Sequence, residues 1–415
     1  MMYSRLLPIL SFGLGICIPF VMRTTLVQYQ IRGIDNPFLA EYIHNFDVVV
    51  LVLLALFWFI PRYRGQLDRF PLLPVAIVGI LGSITVWDDA YPILSFVFLL
   101  RILGLISLGW FLVRDKLVAW VVKGFLTGMV GQVMVGLVQA LRQESIGLFP
   151  FVEPVLSLEL AGVAKATLGS QIWLRAAGTF PHPNIFAFAC LVALLAAIVP
   201  SSGKIRIIWR WSMLMTVLIL FQIDHYMLTS VQGMMIAWLA ILISVTNELP
   251  ILSKWLKVTL TTLFLTGIML AFSKSVLGLI IVGVLGLLIY HFVPTMFHVE
   301  HFQKNALSVS FSLFSLIFVS GIAILGVLQW LPTIAKRVLY VNYSVTLLSN
   351  QWLTGVGLSQ FVAFLPTEDL EFWQFQPVHN GILLILVEGG VLAGIVVLIG
   401  ILYWIYFIAI YEYVE

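Results

Sequence analysis

Apolar residues fall in long runs, at about 7–23, 44–60, 71–87, 92–113, 118–140, 184–200, 206–222, 227–246, 255–272, 275–293, 307–330 and 381–411. Each run is near the ~20 residues that a helix needs to cross the hydrocarbon core of a bilayer. An open sheet would leave backbone groups unpaired in hydrocarbon, so the runs predict about twelve transmembrane helices. The expected fold is all-α, a single integral membrane domain over residues 1–415. The last run is about 30 residues, longer than one perpendicular crossing requires. Either Gly389-Gly390 breaks it or the helix tilts. Arg5 precedes the first run, but no cleavage site follows, so that run reads as a retained first helix.

The connections between runs alternate in charge. Arg62, Arg64 and Arg69 follow the second run, and Arg114 and Lys116 the fourth. Lys204, Arg206 and Arg210 follow the sixth, Lys254 and Lys257 the eighth, and Lys304 the tenth. Basic connections mark the cytoplasmic side, which puts both termini inside. Asp88-Asp89, a loop at 142–183, Asp224-His225, the Ser273-Lys274-Ser275 turn and a loop at 331–380 then lie outside. Within the first long loop, Glu153-Pro154 opens a stretch, 155–168, whose spacing predicts a helix in the interface plane.

Composition agrees with a life in lipid. The chain is 61% hydrophobic and 10% charged, against about 25% charged in soluble domains. Its mean hydropathy is +1.07. A net charge of +3 with no basic domain argues against nucleic acid as a partner. The 2 cysteines, Cys17 and Cys190, fall in predicted spans, so neither a disulfide framework nor a metal cluster is expected.

Chemistry-bearing residues gather in the outer connections. In 174–184, Arg175 and His182 precede the sixth run, with Pro181, Pro183 and Asn184 shaping its entry. A helix start with an adjacent Arg presents positive charge to an anion; an interfacial anchor is the plain alternative. Lys274 sits in a turn of three residues, either snorkelling or facing an anion. Gln232 is a weaker candidate, able to bond a neighbouring helix. Arg101 and Glu388 fall inside runs, where ionisable groups default to function. A structural pairing, with each other or with Asp47, is the preferred reading for Arg101. Lys123 reads as a snorkelling residue.

The 331–380 loop carries Lys336-Arg337, then Gly355-Val356-Gly357, whose glycines let backbone approach closely. Phe372, Trp373 and Phe375 offer aromatic surface. His379-Asn380 closes the loop. A lone His at a helix start is usually a cap, but this one shares the outer face with Arg175, Lys274 and Arg337. A histidine can accept a proton from a hydroxyl near neutral pH. Fixed cations can stabilise a departing pyrophosphate.

These stretches, in order, resemble the O-antigen ligase and O-antigen polymerase superfamily of bacterial membrane glycosyltransferases. The resemblance rests on 137–148 with Gln139 and Gly147, on Arg175 to Asn184, on Phe272-Ser273-Lys274-Ser275, on 354–361, and on His379-Asn380 followed by Glu388-Gly389-Gly390. It implies a GT-C-like fold with a large outer loop before the last span. It also implies a multi-pass protein of the bacterial plasma membrane, active on the outer face. The implied reaction moves a glycan from undecaprenyl diphosphate to an acceptor hydroxyl on a lipid, a growing polysaccharide or a protein, with inversion. No metal or other cofactor is implied. His379 corresponds to the family's base, and Arg175 to the arginine expected to hold the diphosphate. Lys274 stands where the family has arginine, and a Lys lacks the bidentate fork. Arg337 supplies a further cation. His182, Asn184, Gln232, Gly355, Gly357, Asn380 and Glu388 are supporting candidates. Expected partners are the lipid-linked oligosaccharide donor, the acceptor and membrane lipid. The rival readings are a flippase or secondary transporter of lipid-linked glycans, with repeats and interrupted helices, and a structural membrane subunit.

Overall fold

The computed structural model describes residues 2–59, 72–87, 90–148, 151, 153–160, 163–168, 170–198, 210, 213, 230–246, 249, 252–272, 332–366, 370 and 374–414. The helices are α1 (Met2–Cys17), α2 (Asn45–Phe59), α3 (Leu72–Trp87), α4 (Pro92–Arg114) and α5 (Val118–Arg142), then α6 (Pro183–Ala197), α7 (Val231–Val245), α8 (Lys254–Ala271), α9 (Pro332–Asn350) and α10 (Gly381–Val414). Among the described residues, Pro92–Arg114, Val118–Arg142, Lys254–Ala271 and Gly381–Ile399 are long and apolar enough to cross a membrane. Shorter apolar helices accompany them, including Asn45–Phe59, Pro183–Ala197 and Val231–Val245. This is a helical membrane protein. The predicted runs 206–222, 275–293 and 307–330 lie largely or wholly outside the described residues, as do Lys274, Asp88-Asp89, Asp224-His225, Phe372 and Trp373.

Helix starts follow local chemistry. Pro92 opens α4, and Pro183 opens α6 behind the His182 cap, because a helix's first N–H needs no partner there. Ser230 and Ser253 cap α7 and α8, accepting from Gly233 N (3.3 Å) and Leu256 N (3.3 Å). Against α5, α1 packs backbone to backbone. A Cβ on Gly15 would meet Val121 O at 2.1 Å, and one on Gly124 would meet Phe12 O at 2.0 Å. Small residues give membrane helices this close approach, which replaces the hydrophobic drive that lipid cannot supply.

Two corrections to the all-α expectation stand out. The first is an antiparallel ribbon of β1 (Arg23–Ile31) and β2 (Ile34–His44) between α1 and α2. Arg32 and Gly33 form its turn, both with positive φ (53° and 75°), as a two-residue hairpin turn favours. The second replaces the helix expected over 155–168. There the chain forms β3 (Lys165–Leu168) and β4 (Gln171–Leu174), paired from Lys165↔Leu174 to Leu168↔Gln171. Trp173, Ile172 and Thr167 suit a pleated surface better than a helix. In the sequence, Gly-Ser at 169–170 between the two runs is a hairpin signal that was passed over.

Apolar packing forms two bodies. The first joins α1, α2, α4, α5, α6, α7 and α8. The second gathers Ile31 and Leu39 of the hairpin, Leu94 of α4, Tyr340 of α9, Val356, Phe361 and Phe375 of the long loop, and Leu384 and Val387 of α10. A buried ion network ties the hairpin to the bundle. Arg101 bonds Glu41, the Tyr42 carbonyl and both oxygens of Asp47 (3.1 and 3.0 Å), and lies 3.2 Å from His44 Nδ1. Arg101 is 8% exposed and Glu41 5%. The structural reading of Arg101 therefore holds, with Glu41 added to the expected Asp47.

Candidate functional site

A polar seam on α5 builds the entry to α6. Gln132 and Gln139 lie at i and i+7, and so along one helix face, and Gln143 is the left-handed residue that ends the helix (φ 57°). Gln139 Oε1 accepts from Ala177 N (3.1 Å) and Gly178 N (2.8 Å), while its Nε2 donates to Gly178 O (2.8 Å). Gln132 Oε1 accepts from Thr179 N (2.8 Å), and its Nε2 donates to Thr179 Oγ1 (2.7 Å) and Pro19 O (2.8 Å). Gln143 Oε1 accepts from Leu174 N (2.8 Å). Both Gln132 and Gln139 are at most 1% exposed. Fully satisfied buried amides rigidify what they hold, so the backbone of 174–179 is clamped residue by residue.

That clamp aims Arg175. Its Nε donates to Ala271 O (2.7 Å), and Nη2 donates to Asn184 Oδ1 (2.6 Å). Ala176 N donates to Leu270 O (3.1 Å). The last carbonyls of α8, which have no intrahelical partner, are thus capped by Arg175 and its neighbour. Lys274 follows Ala271 by three positions in the chain and is itself outside the described residues.

His182 completes this set. Its Nδ1 accepts from Asn184 N (3.2 Å), which leaves the proton of the neutral ring on Nε2. Burial, and then the positive charge of Arg175, push its pKa down to about 3. Arg175, His182 and Asn184, three predicted site residues, therefore meet. Gln232 does not join them. Its Nε2 donates to Pro19 O (3.4 Å), the carbonyl that Gln132 and Thr179 (3.0 Å) also use. Its observed part is to bond α7 to the end of α1.

The other candidates belong to the second body. His379 is half-buried and stacks on Tyr340, with 6.0 Å between ring centroids and 29° between planes. Tyr340 is fully buried and donates its hydroxyl to Gln374 O. Arg337, one turn earlier on α9, is exposed. Asn380 caps α10, its Oδ1 accepting from Leu383 N (2.9 Å). The loop before α10 thus holds His379 through an aromatic partner on the helix that carries Arg337.

Gly355, Gly357 and Glu388 meet at a break in α10. Gly390 has φ 65° and ψ −170°, which opens the helix. The bonds from Val391 and Leu392 to Val387 and Glu388 are replaced. Val387 O accepts from Val356 N (2.8 Å), and Glu388 O from Gly357 N (2.9 Å). Val391 N donates to Trp352 O (2.9 Å), and Leu392 N to Leu353 O (3.4 Å). Of the two readings of the last run, the break at Gly389-Gly390 is the one present, and the close approach expected of Gly355-x-Gly357 is to the chain's own backbone. Glu388, 7% exposed, accepts from Ser359 N (2.9 Å) and Phe361 N (3.2 Å). Gln360 pins the same loop to α4, bonding Tyr91 N (3.2 Å), Tyr91 O (3.0 Å) and Ser95 Oγ (2.9 Å).

A groove of about 1050 Å³ runs between α3 and the inserted loop, lined by Gly79, Ser83, Ile84, Trp352, Leu353 and Gly355 among others. Neither Arg175 nor His379 lines it, so this groove and the polar chemistry are separate features. Among the described residues, no three His, Cys, Asp or Glu side chains are grouped to hold a metal ion.

Sequence reasoning singled out Arg175, His182 and Asn184, named Gln139 and Glu153 only as part of a motif stretch and as a loop start, and passed over Gln132; the two glutamines hold the 177–179 backbone. Glutamines spaced by seven on an otherwise apolar helix were the available signal. The chain matches no family model, no curated protein and no solved structure.

Proposed function

We propose that the protein is a lipid-diphosphate-dependent glycosyltransferase of the O-antigen ligase and polymerase type, working on the outer face of a bacterial plasma membrane. The supporting observation is the fixing of Arg175. Its own N–H donates to Ala164 O (3.1 Å), the backbone just after it is clamped by Gln139 of α5, and its guanidinium is tied to the end of α8, three residues before Lys274. A guanidinium held this firmly is preorganised for an anion and needs little rearrangement when charge develops.

In this reading, Arg175 and Lys274 hold the diphosphate, and Arg337 adds positive charge from α9. His379 takes the proton of the acceptor hydroxyl. The oxygen attacks the anomeric carbon, and the carbon–oxygen bond to the diphosphate breaks. Its electron pair leaves on the diphosphate, next to the fixed cations. Direct displacement inverts the anomeric centre. His182, held neutral, supports the Arg175 loop rather than exchanging protons.

The test is transfer in proteoliposomes, from an undecaprenyl-diphosphate-linked oligosaccharide to an acceptor. Arg175→Ala and His379→Ala are each expected to lower the rate by ~10²–10⁴-fold, the range for a lost charge stabiliser or general base. Wild-type rates in both variants would sink the reading.

The break at Gly390 favours a second reading as a transporter, since transporters build sites from interrupted helices. Here the four freed backbone groups are all partnered within the chain, which weighs against an open coordination site. The same vesicles separate the two: a transporter moves labelled lipid-linked glycan between leaflets without forming a glycoside.

A further inference from the structure

We infer that Glu153 is a positioning residue for Arg175, acting through the side-chain amide of Gln139; this rests on the reading of Arg175 as the anchor of the donor diphosphate. The loop after α5 folds its own carboxylate into a ring of donors. Glu153 Oε1 accepts from Ile146 N (2.6 Å) and Gln139 Nε2 (2.9 Å). Oε2 accepts from Gly147 N (2.7 Å) and Leu148 N (2.9 Å). Gly147 sits at φ 82°, so three successive N–H groups can converge as an anion-binding nest.

Gln139 joins this nest to the Arg175 loop. An ionised carboxylate only accepts, so it holds the amide nitrogen toward itself. The amide's second hydrogen goes to Gly178 O, and its oxygen is left facing Ala177 N and Gly178 N. The charge of Glu153 polarises that amide and strengthens the bonds on its far side. Ala177 lies two residues after Arg175, whose own anchors are Ala271 and Asn184. The strand-like bridge Glu144↔Ser157 and the bond from Ser145 N to Leu156 O (3.2 Å) bring Glu153 back to α5. A loop that only closed a connection would not need to reach the amide that fixes Arg175.

The experiment is steady-state transfer by the full-length protein in proteoliposomes, with an undecaprenyl-diphosphate-linked oligosaccharide as donor. Glu153→Gln, Arg175→Ala and the double variant are compared. Glu153→Gln is expected to raise the donor KM by about tenfold, the scale of one charge-assisted hydrogen bond. The acceptor KM should stay within about twofold, because a fold-wide defect would instead lower Vmax alone. In the Arg175→Ala background, Glu153→Gln should add nothing. A raised donor KM in Arg175→Ala with an unchanged one in Glu153→Gln overturns this inference and leaves the Arg175 reading standing. Full additivity in the double variant overturns it as well. An unchanged donor KM in Arg175→Ala overturns both. If Glu153→Gln is not recovered folded, Glu153→Asp keeps the charge, shortens the reach, and is judged by the same criteria.

Discussion

His182 caps α6 with a ring nitrogen that must stay unprotonated to accept from Asn184 N. Its pKa of about 3 in the fold lies below the ~6.5 of a free histidine. The unfolded chain therefore gains a proton before the folded one does. Stability is unaffected above pH ~6.5 and falls as pH drops from there toward 3. Thermal unfolding in detergent between pH 7 and pH 4 should lose more for wild type than for His182→Asn, whose amide caps without titrating. Parallel curves would refute the assignment. Glu153 has the same sign in a lower window: burial raises its pKa, but bonds from Gln139 and three backbone N–H groups outweigh it and hold it below the usual range. Its contribution is present above the ordinary carboxylate value of ~4.3 and is lost as pH falls through its lower folded value. Protection of the 146–148 amides from hydrogen exchange should fade in that acid window and not above it. At this scale the sequence was readable where a residue carries a local signature, as in Pro181-His182-Pro183-Asn184. Gln139 was marked only as part of a motif stretch, because a glutamine in an apolar helix does not announce its partner.

Among the elements, the opened turn of α10 and the loop that fills it offer the sharpest test. Gly355 has φ +73°, and a Cβ there would meet the backbone of Glu388 at 2.5 Å. Gly355→Ala combines a left-handed backbone cost of ~1–2 kcal/mol with a clash that rigid backbone cannot relieve. A total loss above ~2 kcal/mol is expected in equilibrium unfolding. Gly13→Ala, in α1 with nothing within 4 Å of the added carbon, should be neutral or stabilising by up to ~1 kcal/mol. Both glycine motifs were visible as a break and a close approach. That they meet each other was not, since about thirty residues and a 3-10 turn separate them. The two β-ribbons were missed for a related reason. A search for ~20-residue apolar runs passes over short strands between them.

At the largest scale, the described residues form a helical bundle and a cap built from both ends of the chain. The Arg101 network couples the hairpin part of that cap to α4 and α2. Removing one member of a buried ion network strands the others, at ~3–5 kcal/mol. Arg101→Met should make 23–44 sensitive to protease in detergent while the bundle helices stay resistant. Adding Glu41→Gln and Asp47→Asn should restore resistance, because no uncompensated charge then remains. Persistent resistance in the single variant would show that the hairpin is held by apolar contacts alone. The helical membrane class and most helix positions followed from apolar run lengths, which lipid enforces directly. The cap did not, because its core joins residues near 31–39 to residues near 340–387, and periodicity carries no information across such distances.

The break at Gly390 also implies an order of assembly. A span entering lipid with these two helix bonds open would expose four backbone groups to hydrocarbon, each at a cost of several kcal/mol. The nascent segment is therefore expected to enter as an unbroken helix. Its turn opens only when residues 352–357, already synthesised, arrive to replace the bonds one for one. Maturation of the last span is thus a strand-exchange step within one chain, and a cut between Trp352 and Gly357 should trap the protein before it.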